Sequence, residues 1–299
     1  MEKILLLYNS SAGDASFGSK LDKFLDIFNS QGYAVEIFRS TGLGKMTEYL
    51  EDRDLSDVKA LFVAGGDGTL NEVVNALMKK DQKPPLGVIP TGTVNDFAKA
   101  VGLNLPVDEV LKAIGKLEMQ PIDVGEANGH FFINVCGAGL FTNISQNTSS
   151  DLKHLFGKLP YFTTGVKQMK SFKPFHLCVE ANGKTYSGEF LLFLVMNSDS
   201  VAGIRMAPGT DLADGEFDFV AIRKAALPTL ATVLVKLMNR KHLNDRHVLH
   251  LKSDHYKISS DNINDSLKEA DVDGESGPML PLEVTIHKNA LTFITNFEK

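Results

Sequence analysis

Apolar and polar residues alternate in short blocks over the first 122 residues of this 299-residue chain. Apolar runs of strand length are separated by longer stretches in which apolar residues recur at helical spacing, as Phe24 and Phe28 do. The strand-like runs are residues 3–8, 34–38, 60–63 and 86–89. Strands that alternate with helices predict βαβ units and therefore a parallel sheet.

The pattern changes after Pro121, where short strand-like runs dominate and helical spacing becomes rare. Strands are predicted at 122–126, 130–136, 175–180, 184–190, 192–196, 216–222, 247–251, 255–259, 267–272 and 282–287. Asn182-Gly183 predicts a hairpin turn, and helices are predicted near 151–171 and 227–241. We therefore expect two domains: a parallel α/β domain at 1–122 and an antiparallel, sandwich-like β domain at 123–289.

A glycine-rich turn separates the third predicted strand from the helix that follows it. The strand stops at Gly65-Gly66-Asp67-Gly68-Thr69, and apolar residues resume at helical spacing from Leu70 onwards. Glycines permit a sharp turn and a close ligand, while the helix N-terminus suits a phosphate. Asp67 is compatible with a phosphate when Mg²⁺ lies near both groups. The turn therefore predicts a nucleoside-triphosphate site.

A second turn of similar chemistry follows the fourth predicted strand. It reads Thr91-Gly92-Thr93 and precedes Asn95-Asp96, where another helical pattern begins. A single glycine turn is more often an ordinary connection, but two in succession would lie side by side at the carboxyl edge of a parallel sheet. Open α/β sheets bind their ligands at that edge. The loop at 9–13, after the first strand, is small, polar and suited to phosphate oxygens, although it lacks a dinucleotide fingerprint.

Two acidic turns lie in the predicted β domain. Residues 208–218 hold four carboxylates, which are suited to a divalent cation or are simply a solvated acidic loop. Residues 270–277 place Glu275 beside an Asp-Gly turn, so Glu275 is either a base projecting into a cleft or an ordinary exposed glutamate.

Composition narrows the function further. The net charge of −6 argues against a general nucleic-acid binder. Two cysteines without a CxxC motif favour a reducing cytosol, and neither a signal peptide nor a membrane span is predicted. Basic stretches at 151–176 and 223–250, interleaved with apolar residues, are either solvated faces or surfaces for peripheral membrane docking.

GGDGTLNEVVNAL followed by PTGTVNDFA resembles the soluble bacterial diacylglycerol kinases, which are related to sphingosine and ceramide kinases. The resemblance implies an N-terminal parallel-sheet nucleotide-binding α/β domain and a C-terminal antiparallel β-sandwich that binds lipid and metal. It also implies that a last strand, about 290–299, returns to the N-terminal domain. The family usually has Asn-Pro in the first loop and a basic residue after its glycine, where this chain has Ser10 and Asp14.

The resemblance also implies roles for individual residues. Glu275 would be the catalytic base, with Asp273 as its close support, and Asp67 would help to place Mg²⁺. Mg²⁺ would lie near Asp211, Asp214, Glu216 and Asp123. The expected ATP contacts are Asn9, Ser10, Ser11, Ala12, Gly13, Thr41, Gly65, Gly66, Asp67, Gly68, Thr69, Asn71, Glu72 and Thr93. From the sequence alone, Thr41 fits equally well as an ordinary helix N-cap.

The expected reaction is transfer of the ATP γ-phosphate to a lipid hydroxyl, with diacylglycerol giving phosphatidic acid. An NAD kinase and a non-catalytic nucleotide or lipid sensor remain as alternatives. We expect a cytoplasmic enzyme that contacts its lipid substrate at the inner face of the membrane, binds no nucleic acid, and is either a monomer or a homodimer.

Overall fold

A computed structural model describes residues 2–9, 16–139, 174–261 and 269–297. The chain divides into two compact units. Unit 1 comprises Met1–Ile122 and Asn289–Lys299, and unit 2 comprises Asp123–Lys288. No helix in the described ranges is long and apolar enough to cross a bilayer.

Unit 1 contains the predicted parallel sheet. Its strands are β1 (Lys3–Asn9), β2 (Ala34–Ser40), β3 (Val58–Gly65) and β4 (Leu86–Pro90), in the spatial order β4-β3-β1-β2. The end of the last strand, β17 (Leu282–Ile294), runs parallel to β4, with Phe293 opposite Leu86. The strands β1, β3 and β4 contain buried apolar runs because the interior of a parallel sheet is covered on both faces, whereas the edge strand β2 is only partly buried.

Helices connect these strands. They are α1 (Leu21–Ser30), α2 (Lys45–Asp52), α3 (Asp67–Met78), α4 (Asp96–Ala100) and α5 (Val107–Ile114), with a 3-10 turn at Ser16–Lys20. The apolar face of α1 buries Phe24 and Phe28, whose rings lie 5.5 and 5.1 Å from the ring of Phe62 on β3. The helical spacing of the two phenylalanines therefore marks the face that covers the sheet.

Unit 2 is antiparallel, as predicted. Its described strands are β5 (Met119–Ala127, which begins in unit 1), β6 (His130–Phe132), β7 (Val135–Gly139), β8 (Phe175–Ala181), β9 (Lys184–Met196), β10 (Ser200–Val201), β11 (Ile204–Arg205), β12 (Phe217–Arg223), β13 (Val248–Ser253), β14 (His255–Ser259), β15 (Glu269–Val272), β16 (Glu275–Met279) and the start of β17. Helix α6 (Leu227–Met238) and a 3-10 turn (His242–Asn244) join β12 to β13. A core rich in aromatic residues fills the unit, including Phe193, Phe219 and Tyr256. The predicted fold class, α/β with a C-terminal antiparallel sandwich, is confirmed.

Two predicted strand boundaries are wrong. The strand predicted at 130–136 is broken between β6 and β7, because the Asp273 carboxylate accepts hydrogen bonds from the N–H groups of Ile133 and Asn134. The strands predicted at 184–190 and 192–196 form the single strand β9. Its apolar second half is buried on both faces, so the alternation typical of an exposed strand is absent there. The helix predicted near 151–171 lies outside the described residues.

Candidate active site

The carboxyl ends of the unit 1 strands lie at one edge of the sheet. The parallel register places Asn9 opposite Ser40 and Gly65 opposite Pro90, while Tyr8 is opposite Ala64. The turns that leave β3 and β4 therefore emerge side by side, as predicted. Residues 10–13 of the first loop lie outside the described residues.

The first glycine turn is as short as a strand-to-helix connection can be. Gly66 alone separates β3 from α3 and forms the N-cap of the helix in an extended conformation. Gly68 and Thr69 belong to the first turn of α3, and no side chain caps it. The first N–H groups of a helix have no partner within it. This helix end is therefore suited to an anion.

The two glycine turns are in backbone contact. The N–H of Thr91 donates to the carbonyl of Gly65 at 3.0 Å. A Cβ atom placed on Gly92 would lie 2.7 Å from the Cα of Gly66, which is closer than real side chains approach. Glycine is therefore required at position 92 because the two backbones meet there.

Asn95 closes the second turn, a role that the sequence analysis did not assign. Its backbone is left-handed, with φ of 52°. Its Oδ1 accepts from the N–H of Gly92 at 3.1 Å, and its Nδ2 donates to the Gly92 carbonyl at 2.6 Å. An asparagine directly before a predicted helix could have indicated this role, because asparagine tolerates the left-handed conformation better than most residues.

Asp67 joins the two turns. Its Oδ2 accepts from the N–H of Asp96 at 3.2 Å and its Oδ1 from the N–H of Phe97 at 3.4 Å, both in the first turn of α4. A carboxylate at a helix N-terminus satisfies donors that lack helical partners and complements the helix dipole. Asp67 therefore has a structural role, which is to position the second turn against the first.

Three other residues were expected to contact the nucleotide. Two of them, Glu72 and Asn71, form hydrogen bonds within unit 1, and the third, Thr41, is exposed. One oxygen of Glu72 accepts from the N–H groups of Met46 and Thr47 at 3.0 and 3.1 Å, so it caps α2. The buried Asn71 accepts from Asn75 Nδ2 at 3.0 Å. Thr41 is exposed after β2, and the N-cap of α2 is Gly44. The alternative that Thr41 is an N-cap is therefore wrong.

Glu275 is an exposed residue at the tip of a tight hairpin in unit 2. Asp273 and Gly274 have φ values of 52° and 92°, and Glu275 pairs with Val272 across the turn. An Asp-Gly pair with both φ angles positive is typical of a two-residue hairpin turn. The two-residue turn and the pairing with Val272 therefore fix the backbone position of Glu275.

Asp273 anchors this hairpin. It is 7% exposed, and its carboxylate accepts from the N–H groups of Ile133, Asn134 and Val135 at 2.8 to 2.9 Å. Backbone donors to a charged acceptor form strong hydrogen bonds. Asp273 therefore supports Glu275 by holding the turn.

The acidic loop at 211–216 is tied to Asp123. The fully buried Asp123 accepts from the Gly215 N–H at 2.6 Å, and its own N–H donates to the Leu212 carbonyl at 2.7 Å. Within the loop, Asp211 accepts from Ala213 N–H at 3.0 Å and Asp214 from Glu216 N–H at 2.9 Å. Asp123 thus stabilises the loop through hydrogen bonds to the backbone groups of Leu212 and Gly215.

Two lysines balance the charge of this loop. The Nζ of Lys252 lies 2.9 Å from Asp214 Oδ2, and the Nζ of Lys288 donates to the Asp214 carbonyl at 3.0 Å. Burial lowers the pKa of Lys252, but the hydrogen bond to Asp214 and the charges of Asp218, Asp214 and Glu216 outweigh it, so the pKa is raised. Lys252 is therefore a firmly charged partner of the loop.

The carboxylates of the acidic loop have partners within the protein. Within the described ranges, no three His, Cys, Asp or Glu side chains are grouped so that they could hold one metal ion. The carboxylates of Asp211 and Asp214 are engaged by backbone N–H groups and Lys252, and Glu216 is exposed. The metal role implied for these residues and Asp123 stays a prediction.

Comparison with known proteins matches two family models to this chain. Residues 3–127 match the family model described as the diacylglycerol kinase catalytic domain. Residues 135–295 match the model described as the YegS C-terminal NAD kinase beta sandwich-like domain.

Curated relatives extend over nearly the whole chain. It is 36% identical over 287 residues to a diacylglycerol kinase of Bacillus subtilis (strain 168), covering 95% of this chain and 93% of the relative. It is 33% identical to a diacylglycerol kinase of Staphylococcus carnosus (strain TM300), covering 92% and 89%. A crystal structure of a diacylglycerol kinase from Bacillus anthracis str. Sterne aligns with a TM-score of 0.80 at 27% identity, covering 99% of this chain and 97% of that one. The chain therefore belongs to the diacylglycerol kinase family.

Proposed function

We propose that the protein transfers the γ-phosphate of ATP to the hydroxyl of diacylglycerol and so forms phosphatidic acid. The observation that carries the proposal is the pair of glycine turns that Asp67 and the Gly66–Gly92 contact hold together. Relatives named diacylglycerol kinase, aligned over 95% of the chain, support the choice of acceptor.

Phosphoryl transfer depends on positioning and charge stabilisation more than on covalent chemistry by the protein. In our proposal the turns at Gly65–Thr69 and Thr91–Thr93 hold the phosphates through backbone N–H groups. Mg²⁺ bound to ATP would neutralise charge on the phosphates. Asp67 holds the second turn in place, and its carboxylate would help to hold that ion.

The acceptor side of the reaction is assigned to Glu275. The lipid hydroxyl oxygen forms a bond to the γ-phosphorus while the bond to the β–γ bridging oxygen breaks, and ADP leaves. Glu275 takes the hydroxyl proton, a role typically worth about 10²–10⁴-fold in rate. Asp273 holds the turn on which Glu275 stands.

One assay tests this function against its rivals. The purified full chain is incubated with γ-labelled ATP and Mg²⁺ and offered, in separate reactions, diacylglycerol in mixed micelles, ceramide in mixed micelles, and NAD without lipid. We expect labelled phosphatidic acid as the main product. Labelled NADP would support an NAD kinase, the class named in the description of the C-terminal family model. ATP binding with no labelled product would support a sensor.

A further inference from the structure

Helix α6 carries an apolar outer face. Its sequence LPTLATVLVKLM contains one ionisable residue, Lys236. Leu230, Val233, Leu234 and Leu237 are buried in the core of unit 2. Surface helices of globular proteins place charged and polar residues on the side opposite the core. Here that side presents Val235 and Met238, which are 49% and 58% exposed.

Two polar side chains near this face, Thr232 and Lys236, have partners within the protein. The hydroxyl of the exposed Thr232 donates to the Pro228 carbonyl at 3.0 Å, which leaves the methyl group for solvent. Lys236 is neutralised by Asp245, whose carboxylate lies 2.7 Å from its Nζ. Single exposed apolar residues need no explanation, but Pro228, Thr232, Val235 and Met238 form one stripe without a net charge.

Three cations lie beside this stripe or just after it: Arg240 and Lys241 follow the end of α6, and Arg246 lines the same surface depression as Pro228 and Thr232. Arg240, Lys241 and Arg246 are exposed, and in the described part of the chain none of them lies within ion-pair distance of a carboxylate. The segment 223–253 contains seven Lys or Arg residues and one acidic residue, Asp245, in a chain whose net charge is −6. The positive charge is therefore local to this part of unit 2.

Arg240 has a backbone conformation that other residues adopt more readily. Its φ is 57°, and its N–H closes the end of α6 by donating to the Leu237 carbonyl at 2.9 Å. Glycine or asparagine is usual at this position after a helix, because a Cβ is unfavourable there. An exposed arginine in a left-handed turn is thus placed against the local backbone preference.

We propose that this α6 surface, the stripe Pro228, Thr232, Val235 and Met238 with the cations Arg240, Lys241 and Arg246, docks on an anionic lipid membrane. Apolar side chains beside several cations are the recognition elements of interfacial helices. A second copy of the chain fits less well, because a two-fold contact between identical surfaces would bring like charges together. The reason for docking, which is to bring the enzyme to a lipid acceptor, rests on the proposed function. The docking itself does not.

Vesicle binding measured without ATP tests the surface directly. The full chain is sedimented with sucrose-loaded vesicles of phosphatidylcholine, with and without phosphatidylglycerol. We expect binding that requires phosphatidylglycerol and weakens with NaCl. Each cation near an anionic surface contributes about fivefold in partitioning, so Arg240→Gln/Lys241→Gln/Arg246→Gln should weaken binding by about 100-fold.

Matched controls separate a specific surface from general charge. Lys79→Gln/Lys83→Gln/Lys116→Gln removes three exposed cations of unit 1 that form no ion pair within the described ranges, and this variant should bind like wild type. Met238→Gln should weaken binding, whereas Leu105→Gln, at a position 40% exposed in unit 1, should not. Thermal melts identify any variant that fails to fold, and Arg240→Lys should retain binding.

Three results would overturn the docking proposal: undiminished binding by the α6 triple variant, an equal loss in the lysine control, or a wild-type dimer that Met238→Gln dissociates without any change in vesicle binding. Kinase activity is read separately on a short-chain diacylglycerol kept below its micelle concentration. The α6 variants should keep wild-type activity there and lose it on vesicles. Absence of any lipid product would refute the proposed function and leave the binding result standing.

Discussion

Asp67 shows how one carboxylate serves both structure and proposed chemistry. Its two oxygens accept from backbone N–H groups at the start of α4, so removal of the side chain frees the second glycine turn. The loss of a hydrogen bond to a charged group costs about 1.5–3 kcal/mol in stability. Any contribution to Mg²⁺ and phosphate binding would be lost as well.

We expect Asp67→Ala to abolish turnover while the protein still folds, and Asp67→Asn to reduce kcat by about 10²-fold or more. The asparagine variant keeps one acceptor oxygen and the size of the side chain, but it loses the charge. Steady-state kinetics and a thermal melt check both variants. Wild-type kcat in the folded Asp67→Asn protein would contradict a role for the charge.

Glu275 is the residue on which the acceptor half of the mechanism depends. It is exposed and stands on a hairpin that Asp273 anchors. In Glu275→Gln the side chain keeps its shape but cannot take a proton. We therefore expect kcat to fall by about 10²–10⁴-fold while the Kd for ATP, measured by calorimetry, stays within twofold.

A matched control for Glu275 lies on the same hairpin. Glu269, at the start of β15, is exposed and accepts from the Ser276 hydroxyl at 2.6 Å. Glu269→Gln should keep wild-type kcat. Equal losses in the two variants would mean that the charge of the hairpin matters and that Glu275 has no special role.

At the scale of elements, the contact between the two glycine turns is the feature most sensitive to substitution. A Cβ on Gly92 would lie 2.7 Å from both the Gly66 Cα and the Asn95 Oδ1. The backbone atom cannot move without shifting the whole turn, and overpacking of this kind costs about 1–3 kcal/mol.

We expect Gly92→Ala to lower the Tm and weaken ATP binding together, because the same contact stabilises the fold and shapes the phosphate loops. Gly18→Ala is the control, since a Cβ at Gly18 meets nothing within 4 Å. Calorimetric titration of ATP and a thermal melt test the pair. Normal ATP affinity in Gly92→Ala would show that the loops bind phosphate without their close approach.

For the whole molecule, pH tests a buried group of unit 2. His242 is fully buried, and its Nε2 lies 2.8 Å from the Met206 carbonyl. Burial lowers the pKa of His242 and nearby His250 lowers it further, while the hydrogen bond to Met206 acts in the opposite direction. Because the folded pKa lies below the unfolded value of about 6.5, the unfolded chain binds more protons in acid.

We therefore expect His242 to reduce the free energy of unfolding as pH falls below about 6.5. Other histidines titrate in the same range, so the informative quantity is the difference between wild type and His242→Gln, whose amide can still donate to Met206. Between pH 7.5 and 5.5 the Tm of wild type should fall further than that of the variant. Equal decreases would exclude His242 as the source.

Much of the molecule was determined by the sequence alone. The two fold types, the parallel strands of unit 1 and the two glycine turns follow from periodicity and from the short list of residues that tolerate tight turns. These are local properties, which a linear pattern records. The strand break at Ile133-Asn134 is not local, because its cause is Asp273, 139 to 140 positions later in the chain.

Only the tertiary structure decided what the polar side chains do. The sequence marked Asp67, Glu72, Asp123 and Asp273 as site residues, but their hydrogen-bond partners are backbone groups from 25 to 140 positions away. The acidic loop likewise receives its counter-charges from Lys252 and Lys288 on later strands. Carboxylates form such bonds with whatever donors the fold brings near, because a buried charge must be paired or hydrogen-bonded. A sequence therefore shows which carboxylates matter, and the folded chain determines whether they meet a phosphate, a lysine or the backbone.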